Sequence, residues 1–294
     1  MRYWLIALLS CATLVAAQER PTLSGVLESS SPSDWRQPDP ANTLYMELGH
    51  GRVVFELAPH FAPGHVANIR RLVGNGYFDG LAIIRSQDNY VVQWGDPNAG
   101  EENARLHENA ADSLDPEFFR NAEDLPFTKI DSRDAYASEV GFSGGFPAGR
   151  DDTNGRAWLI HCYGMLGVGR GTSPDSGSGA ELYVVTGHAP RHLDRNVTLV
   201  GRVIDGIENL STLPRGTGPL GFFENVEEHV PIVSVRFGSD LPEAERLQIE
   251  LLRTDTEIFN QLVEARRYRS EEWFVDPSDA IGICNVPLAS RSRK

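Results

Sequence analysis

The sequence predicts a mainly β fold, and three observations carry that reading. Leu44, Met46 and Leu48 alternate with polar residues, as do Val53, Phe55 and Leu57, with Gly49-His50-Gly51 between the runs. Period-two alternation on both sides of a short glycine turn predicts a β-hairpin with one buried face. Ile83-Ile84 and Val91-Val92 flank the polar hinge Ser86-Gln87-Asp88-Asn89, which reads as two short antiparallel strands joined by turn residues. Ile232, Val233 and Val235 form a late β-branched run, a last strand of the same domain.

Composition bounds the rest. A chain of 294 residues, 40% hydrophobic and 23% charged, is long enough for one or two domains with a real core. Its net charge of −14 argues against binding nucleic acid or an anionic membrane surface. The N-terminus reads as a secretory signal over residues 1–17. Arg2 supplies a thin basic region, Trp4 to Val15 is apolar but short for a bilayer span, and Val15-Ala16-Ala17 is a small-residue cleavage site. A rival reading takes Leu8-Leu9-Ser10-Cys11 as a lipoprotein box with Cys11 lipid-anchored. No later segment is apolar enough to span a membrane. After cleavage two cysteines remain, Cys162 and Cys284. An export signal with two cysteines predicts one disulfide, the alternative being two separately buried thiols.

Residues 18–40 are rich in Ser, Pro and Asp and read as an irregular leader. After the hairpin, Pro63 suits a first helical turn, Val66, Ile69 and Val73 make one apolar stripe, and Gly74 and Gly76 stop the helix. Residues 98–155 are acidic at first and Gly-rich from Gly141 to Asp152. Glu101 to Asp124 is expected as solvated loop with a helical turn or two, Gly141 to Asp152 as turns, and the insertion as a whole as draped over the surface. Trp158 to Cys162 reads as a strand. Near the C-terminus, Pro242 to Arg253 and Thr256 to Arg267 are expected as helices, with Trp273-Phe274 and Ile281 to Val286 packing back on the domain.

The stretch Phe78 to Asp96, FDGLAIIRSQDNYVVQWGD, places one cation, Arg85, in an apolar run and one neutral amide, Gln93, eight residues later. It resembles the core signature of the cyclophilins, the peptidyl-prolyl isomerases whose motif reads FxGxxFHRxxxxFxxQGGD. Phe78, Gly80, Arg85, Gln93, Gly95 and Asp96 match without a gap. Ile83-Ile84 stand where the family has Phe-His, Tyr90 for a Phe and Trp94 for a Gly. GMLGVGRGTSPDSGSGAELYVV resembles the second signature, with Gly164, Arg170, Pro174 and Ser176 in place. Glu181 stands for Gln, Leu182 for Phe, Tyr183 for the pocket Phe, and one residue is extra near Gly177. GHAPRHLDRNVTLVGRVIDG resembles the next block, with Leu193 and Asp194 matching, His192 for a Trp and Val197 for a His. The resemblance runs from Leu44 to Phe237.

The resemblance implies a closed eight-stranded antiparallel barrel capped by helices over residues 41–238, interrupted by the 98–155 insertion and followed by a C-terminal helical appendage over 239–294. It implies an isomerase of X-Pro bonds that needs no cofactor and no metal. Rotation of such a bond takes tens to hundreds of seconds, because it breaks amide resonance worth roughly 18–20 kcal/mol. Millisecond turnover requires about 5–7 kcal/mol of stabilisation, from an apolar slot for the proline ring and a fixed donor to the deconjugated prolyl nitrogen. By resemblance Arg85 is that cation, always charged and rigidly forked. Gln93 orients it or holds a substrate carbonyl. Tyr90, Val91, Gly169, Glu181, Tyr183, His192 and Leu193 make up the substrate site. Ile84 and Val197 replace two of the family's histidines and His192 its tryptophan, while Val91 implies a narrower slot and Tyr90 and Tyr183 a more polar one. Together these imply weaker or more substrate-restricted turnover. The missing tryptophan implies insensitivity to the family's cyclic-peptide inhibitor.

The expected enzyme is a monomer, exported to the bacterial periplasm, acting on proline-containing segments of exported proteins. The alternative is a cyclophilin barrel that binds such segments with little turnover, acting as chaperone or scaffold. Other constellations carry less. His188 and His192 lie at i, i+4, but Pro190 between them argues against a helical metal site. Ser176, His161 and Asp194 have no triad spacing. Gly169 to Gly179 lacks the lysine and following helix of a phosphate loop.

Overall fold

The hairpin at the start of the domain sets the frame. In the computed structural model, which describes residues 21–269 and 271–293, strands β1 (Thr43–Leu48) and β2 (Gly51–Leu57) pair from Thr43↔Glu56 to Leu48↔Gly51. Leu44, Met46, Leu48, Val53, Phe55 and Leu57 all enter one core, as the alternation requires. The signal stretch and Cys11 lie outside the described residues. Further strands are β3 (Ala82–Ser86), β4 (Val91–Gly95), β5 (Met165–Val168), β6 (Leu182–Val185), β7 (Leu199–Asp205) and β8 (Val230–Phe237). They close an antiparallel barrel in the order β5-β6-β4-β3-β8-β1-β2-β7, with β7 paired back to β5. Closure removes both sheet edges.

Four α-helices are described: α1 (Leu23–Glu28), α2 (Pro63–Gly74), α3 (Glu208–Ser211) and α4 (Glu257–Arg267). Helix α2 starts at Pro63, buries Val66, Ile69, Leu72 and Val73 against the barrel, and ends before Gly76, whose φ is +68°. Glu117 holds its N-terminus, accepting from the backbone of Gly64 at 3.0 Å and of His65 at 2.9 Å.

Three segments differ from what their sequence suggests. Apart from Arg120–Asn121, the acidic half of the insertion is loop with one 3₁₀ turn, Ala122–Asp124, as expected. That pair and the rest of the insertion, with Arg156–Leu159 just after it, build a five-stranded antiparallel sheet in the order Arg120–Asn121, Arg156–Leu159, Phe146–Asp151, Glu139–Ser143, Thr128–Ile130. The Gly-rich stretch is strand rather than turn, because Gly141 lies against the Lys129 backbone and Gly149 against the Trp158 indole, where a Cβ would collide. The strand through Trp158 ends at Leu159 and belongs to this sheet, not to the barrel. The leader is not irregular in its described part: Thr22 caps α1, and Trp35–Arg36 is a strand. Residues 242–253 form no α-helix, only the 3₁₀ turn Glu243–Glu245 before a strand. Ile249–Leu252 is a strand between Trp35–Arg36 and Ser290–Ser292, so pairing overrides the helical preference of that run. Helix α4 does form, capped by the Thr256 hydroxyl. Trp273 is exposed.

These segments share a second core. Val26, Trp35, Phe142, Trp158, Met165, Phe259, Leu262 and Ile283 are all buried in it, and Phe142 meets Phe259 edge-on at 5.1 Å. Cys162 and Cys284 are joined by a disulfide, which ties the C-terminal segment to the barrel side of this core. No helix among the described residues is long and apolar enough to cross a membrane.

Candidate active site

A bulge decides where Arg85 points. Strands β3 and β4 pair Ile83 with Trp94, and then Arg85, not Ile84, with Gln93. The extra residue turns Arg85 onto the face of Gln93. Gln93 in turn lies opposite Tyr183 on β6, and Tyr183 opposite Gly167 on β5. One row across four strands therefore carries Arg85, Gln93, Tyr183 and Gly167. At Gly167 a Cβ would sit 2.3 Å from the Tyr183 ring, so the glycine leaves room for that ring to lie across β5.

Arg85 donates from Nη1 to Gln93 Oε1 at 2.9 Å, from Nε to the Leu220 carbonyl at 2.7 Å, and from Nη2 to Gln87 Oε1. These are three of the five N–H groups of a guanidinium. Its head lies over the rings of Phe222 at 5.3 Å and Tyr90 at 5.6 Å, within cation–π range. Gln93 passes its own amide hydrogen to Glu181 Oε2 at 2.9 Å, which fixes which end of the amide faces Arg85. Burial raises the Glu181 carboxyl above its usual range, against the hydrogen bond from Gln93 and the charge of Arg85. Gly169 sits beside this pair, where a Cβ would be 2.9 Å from Glu181 Oε2.

The groove at this row has a volume of about 470 Å³ and is lined by Arg85, Tyr90, Val91, Gln93, Val168, Gly169, Arg170, Glu181, Tyr183, Leu193, Val197, Leu220 and Phe222. A smaller cavity of about 300 Å³ lies by the disulfide, away from Arg85. The structure thus brings Arg85, Gln93, Tyr90, Val91, Gly169, Glu181, Tyr183 and Leu193 together. His192 is the exception: it is exposed, outside the lining, and stacks nearly parallel on Tyr90 at 6.4 Å. The slot is also less polar at Tyr183 than the sequence suggests, because that hydroxyl is bonded to the fully buried His161 ring at 2.9 Å. Leu220 and Phe222 were not legible as groove residues. Their strap is pinned by Gly216 N to Ser86 O at 2.9 Å and Phe223 N to Ile84 O at 3.0 Å. The short apolar run between Gly218 and Phe223 is its one sequence signal.

Residues 43–237 match the family described as cyclophilin type peptidyl-prolyl cis-trans isomerase/CLD. The chain belongs to the cyclophilins. Among solved structures, the cyclophilin AquaCyp293 from Hirschia baltica is similar at TM-score 0.69 and 27% identity, over 92% of this chain and 98% of that one. The likeness therefore extends past the barrel. A probable peptidyl-prolyl cis-trans isomerase of Brucella suis is 26% identical over 180 residues, covering 61% of this chain and 74% of the relative. A putative peptidyl-prolyl cis-trans isomerase of Staphylococcus aureus is 37% identical over 56 residues, 19% of this chain and 28% of the relative. The activity of this cyclophilin is accordingly peptidyl-prolyl cis-trans isomerisation. Among the described residues no cluster of three or more His, Cys, Asp or Glu side chains is set to hold a metal ion.

Proposed function

We propose that this cyclophilin isomerises X-Pro bonds in exported proteins, with Arg85 as the cation that stabilises the twisted prolyl amide. The observation that carries the reading is the half-buried Arg85 guanidinium beside an apolar slot walled by Tyr90, Val91, Tyr183 and Leu193. Rotation breaks conjugation, the prolyl nitrogen gains a lone pair, and a donor that meets only this state lowers the barrier. Arg85 has two N–H groups beyond those held by Gln93, Gln87 and Leu220. Gln93, fixed by Glu181, orients the guanidinium. Export to the periplasm is supported by the signal-like N-terminus and by a disulfide, which persists in oxidising compartments.

A second reading, binding with little turnover, is favoured by one feature. The carbonyl of the groove-lining Leu220 and the Gln87 side chain already take up two of the Arg85 N–H groups. A protease-coupled assay on a proline peptide separates the two. Wild type well above background, with Arg85→Ala near it, supports the isomerase; equal near-background rates leave binding alone. Fractionation of cells expressing the full chain, with thiol labelling, tests export: oxidised Cys162–Cys284 in the periplasmic fraction supports it, and a reduced cytoplasmic chain contradicts it.

A further inference from the structure

A line of hydrogen-bonded side chains joins the inserted sheet to the groove. It begins at Asp134, in the loop between the inserted strands Thr128–Ile130 and Glu139–Ser143. Asp134 accepts from Arg191 Nη1 at 2.6 Å and Nη2 at 2.8 Å. Arg191 Nε donates to Asp194 Oδ2 at 2.6 Å. Asp194 Oδ1 accepts from the His161 backbone N–H at 3.0 Å and from its ring Nδ1 at 2.9 Å. His161 Nε2 meets the Tyr183 hydroxyl at 2.9 Å. His161 and Asp194 side chains are fully buried, and those of Asp134 and Arg191 are 10% exposed.

The chemistry of the line assigns each proton. A carboxylate only accepts, so His161 carries a proton on Nδ1; burial disfavours the charged ring, so Nε2 is bare and accepts from the Tyr183 O–H. Arg191 spends three donors in its planar fork, bidentate to one carboxylate and single to the other. It also lies over the Tyr136 ring at 4.9 Å, and Asp134 accepts from the backbone of Tyr136 and Ala137, so the loop end of the line is fixed. Arg191 opens the short 3₁₀ turn Arg191–Leu193. That turn carries Leu193, which lines the groove, and His192, which stacks on Tyr90.

We propose that Asp134, Arg191, Asp194 and His161 are positioning residues: through them the insertion fixes the Tyr183 ring and the 191–193 turn, and so sets the shape of the proline slot. The inference rests on the groove at Arg85 being the site of isomerisation. It gives the insertion a task in substrate binding that the barrel alone does not perform, and predicts that a residue outside the groove controls affinity.

The test is a double-variant cycle between the two ends of the line in the full chain. Wild type, Asp134→Asn, Tyr183→Phe and the double variant are compared for kcat and KM on a proline tetrapeptide, with ¹⁵N NMR of the His161 ring. Each single variant is expected to raise KM by about threefold or more with a smaller change in kcat, and the double to lose no more than the worse single, because coupled residues are not additive. Asp134→Asn is also expected to shift the His161 ring signals away from the single Nδ1–H tautomer of wild type. Unchanged KM in Asp134→Asn, or losses that multiply in the double variant, would overturn the proposal. If Asp134→Asn fails to fold, Arg191→Lys, which keeps the charge but loses the fork, takes its place under the same criteria. An inactive wild type would instead count against the groove as the isomerisation site. In that case the His161 signals alone decide the line: a shift in Asp134→Asn upholds it, and no shift overturns it.

Discussion

Gln93 accepts a hydrogen bond from Arg85 Nη1 at 2.9 Å across the bulged pairing of β3 and β4. Its other end is held by Glu181 at 2.9 Å, so the amide cannot turn over without losing both bonds. Replacing Gln93 with Leu is expected to leave the barrel folded and lower kcat/KM by about tenfold, the worth of roughly 1.4 kcal/mol. Steady-state kinetics beside a thermal melt checks this; full activity would mean Arg85 is oriented without Gln93.

Glu181 makes stability depend on pH. Burial, the largest cause, raises its carboxyl above the ordinary carboxylate range, so the folded state holds this proton more tightly than the unfolded chain. Its contribution is complete below the unfolded pKa and is lost as pH rises through the raised folded value. Glu181→Gln removes that loss. The melting temperature of the variant relative to wild type is expected to climb as pH rises from the acid side to neutrality. A constant difference across that range would contradict the assignment.

Glu117 acts with the opposite sign. Burial alone would raise its pKa, but the hydrogen bonds from the His65 ring and from the backbones of His65 and Gly64 outweigh burial and lower it. Its stabilisation of α2 is present above the unfolded pKa and lost as pH falls through the lowered one. Glu117→Ala is expected to cost about 1 kcal/mol near neutral pH, the usual worth of a helix cap. Urea melts at neutral and strongly acidic pH test this, the difference between the two proteins disappearing in acid.

The disulfide closes a sequence separation of 122 residues. Cys162→Ser with Cys284→Ser is expected to destabilise the chain by about 2–4 kcal/mol. Neither cysteine lines the groove at Arg85, so turnover at a permissive temperature should be kept. Denaturant melts and rates on the two proteins decide it, and a large loss of activity without a loss of stability would tie the bridge to the groove.

The barrel and most of the groove could be read because their signals are local. Period-two alternation marked the hairpin, and an ungapped motif placed Arg85 eight residues before Gln93. What could not be read depends on contacts between distant segments. Val26 and Trp35 sit in a polar leader, and they acquire a reason to be ordered only when α4 and Ile249–Leu252 pack beside them. The Gly-rich run 141–152 looked like turns because its glycines make room for the Trp158 indole and the Lys129 backbone, which lie elsewhere in the sequence. His161, Asp194 and Tyr183 lie too far apart in sequence for any spacing rule, and Ser176 bonds within its own loop rather than to His161 or Asp194. Leu220 and Phe222 reach the groove through a strap whose register on Arg85 no local pattern announces.

The role proposed for Arg85 is to act on the rotating amide rather than on the bound peptide. The most direct measurement is kcat for isomerisation by wild type and Arg85→Lys, beside the Kd of the same proline peptide for each. The expected result is that kcat falls by about 10²-fold, the usual loss when a transition-state donor is removed, while Kd changes only a few-fold. An unchanged kcat, or a Kd that weakens as much as kcat falls, would contradict it.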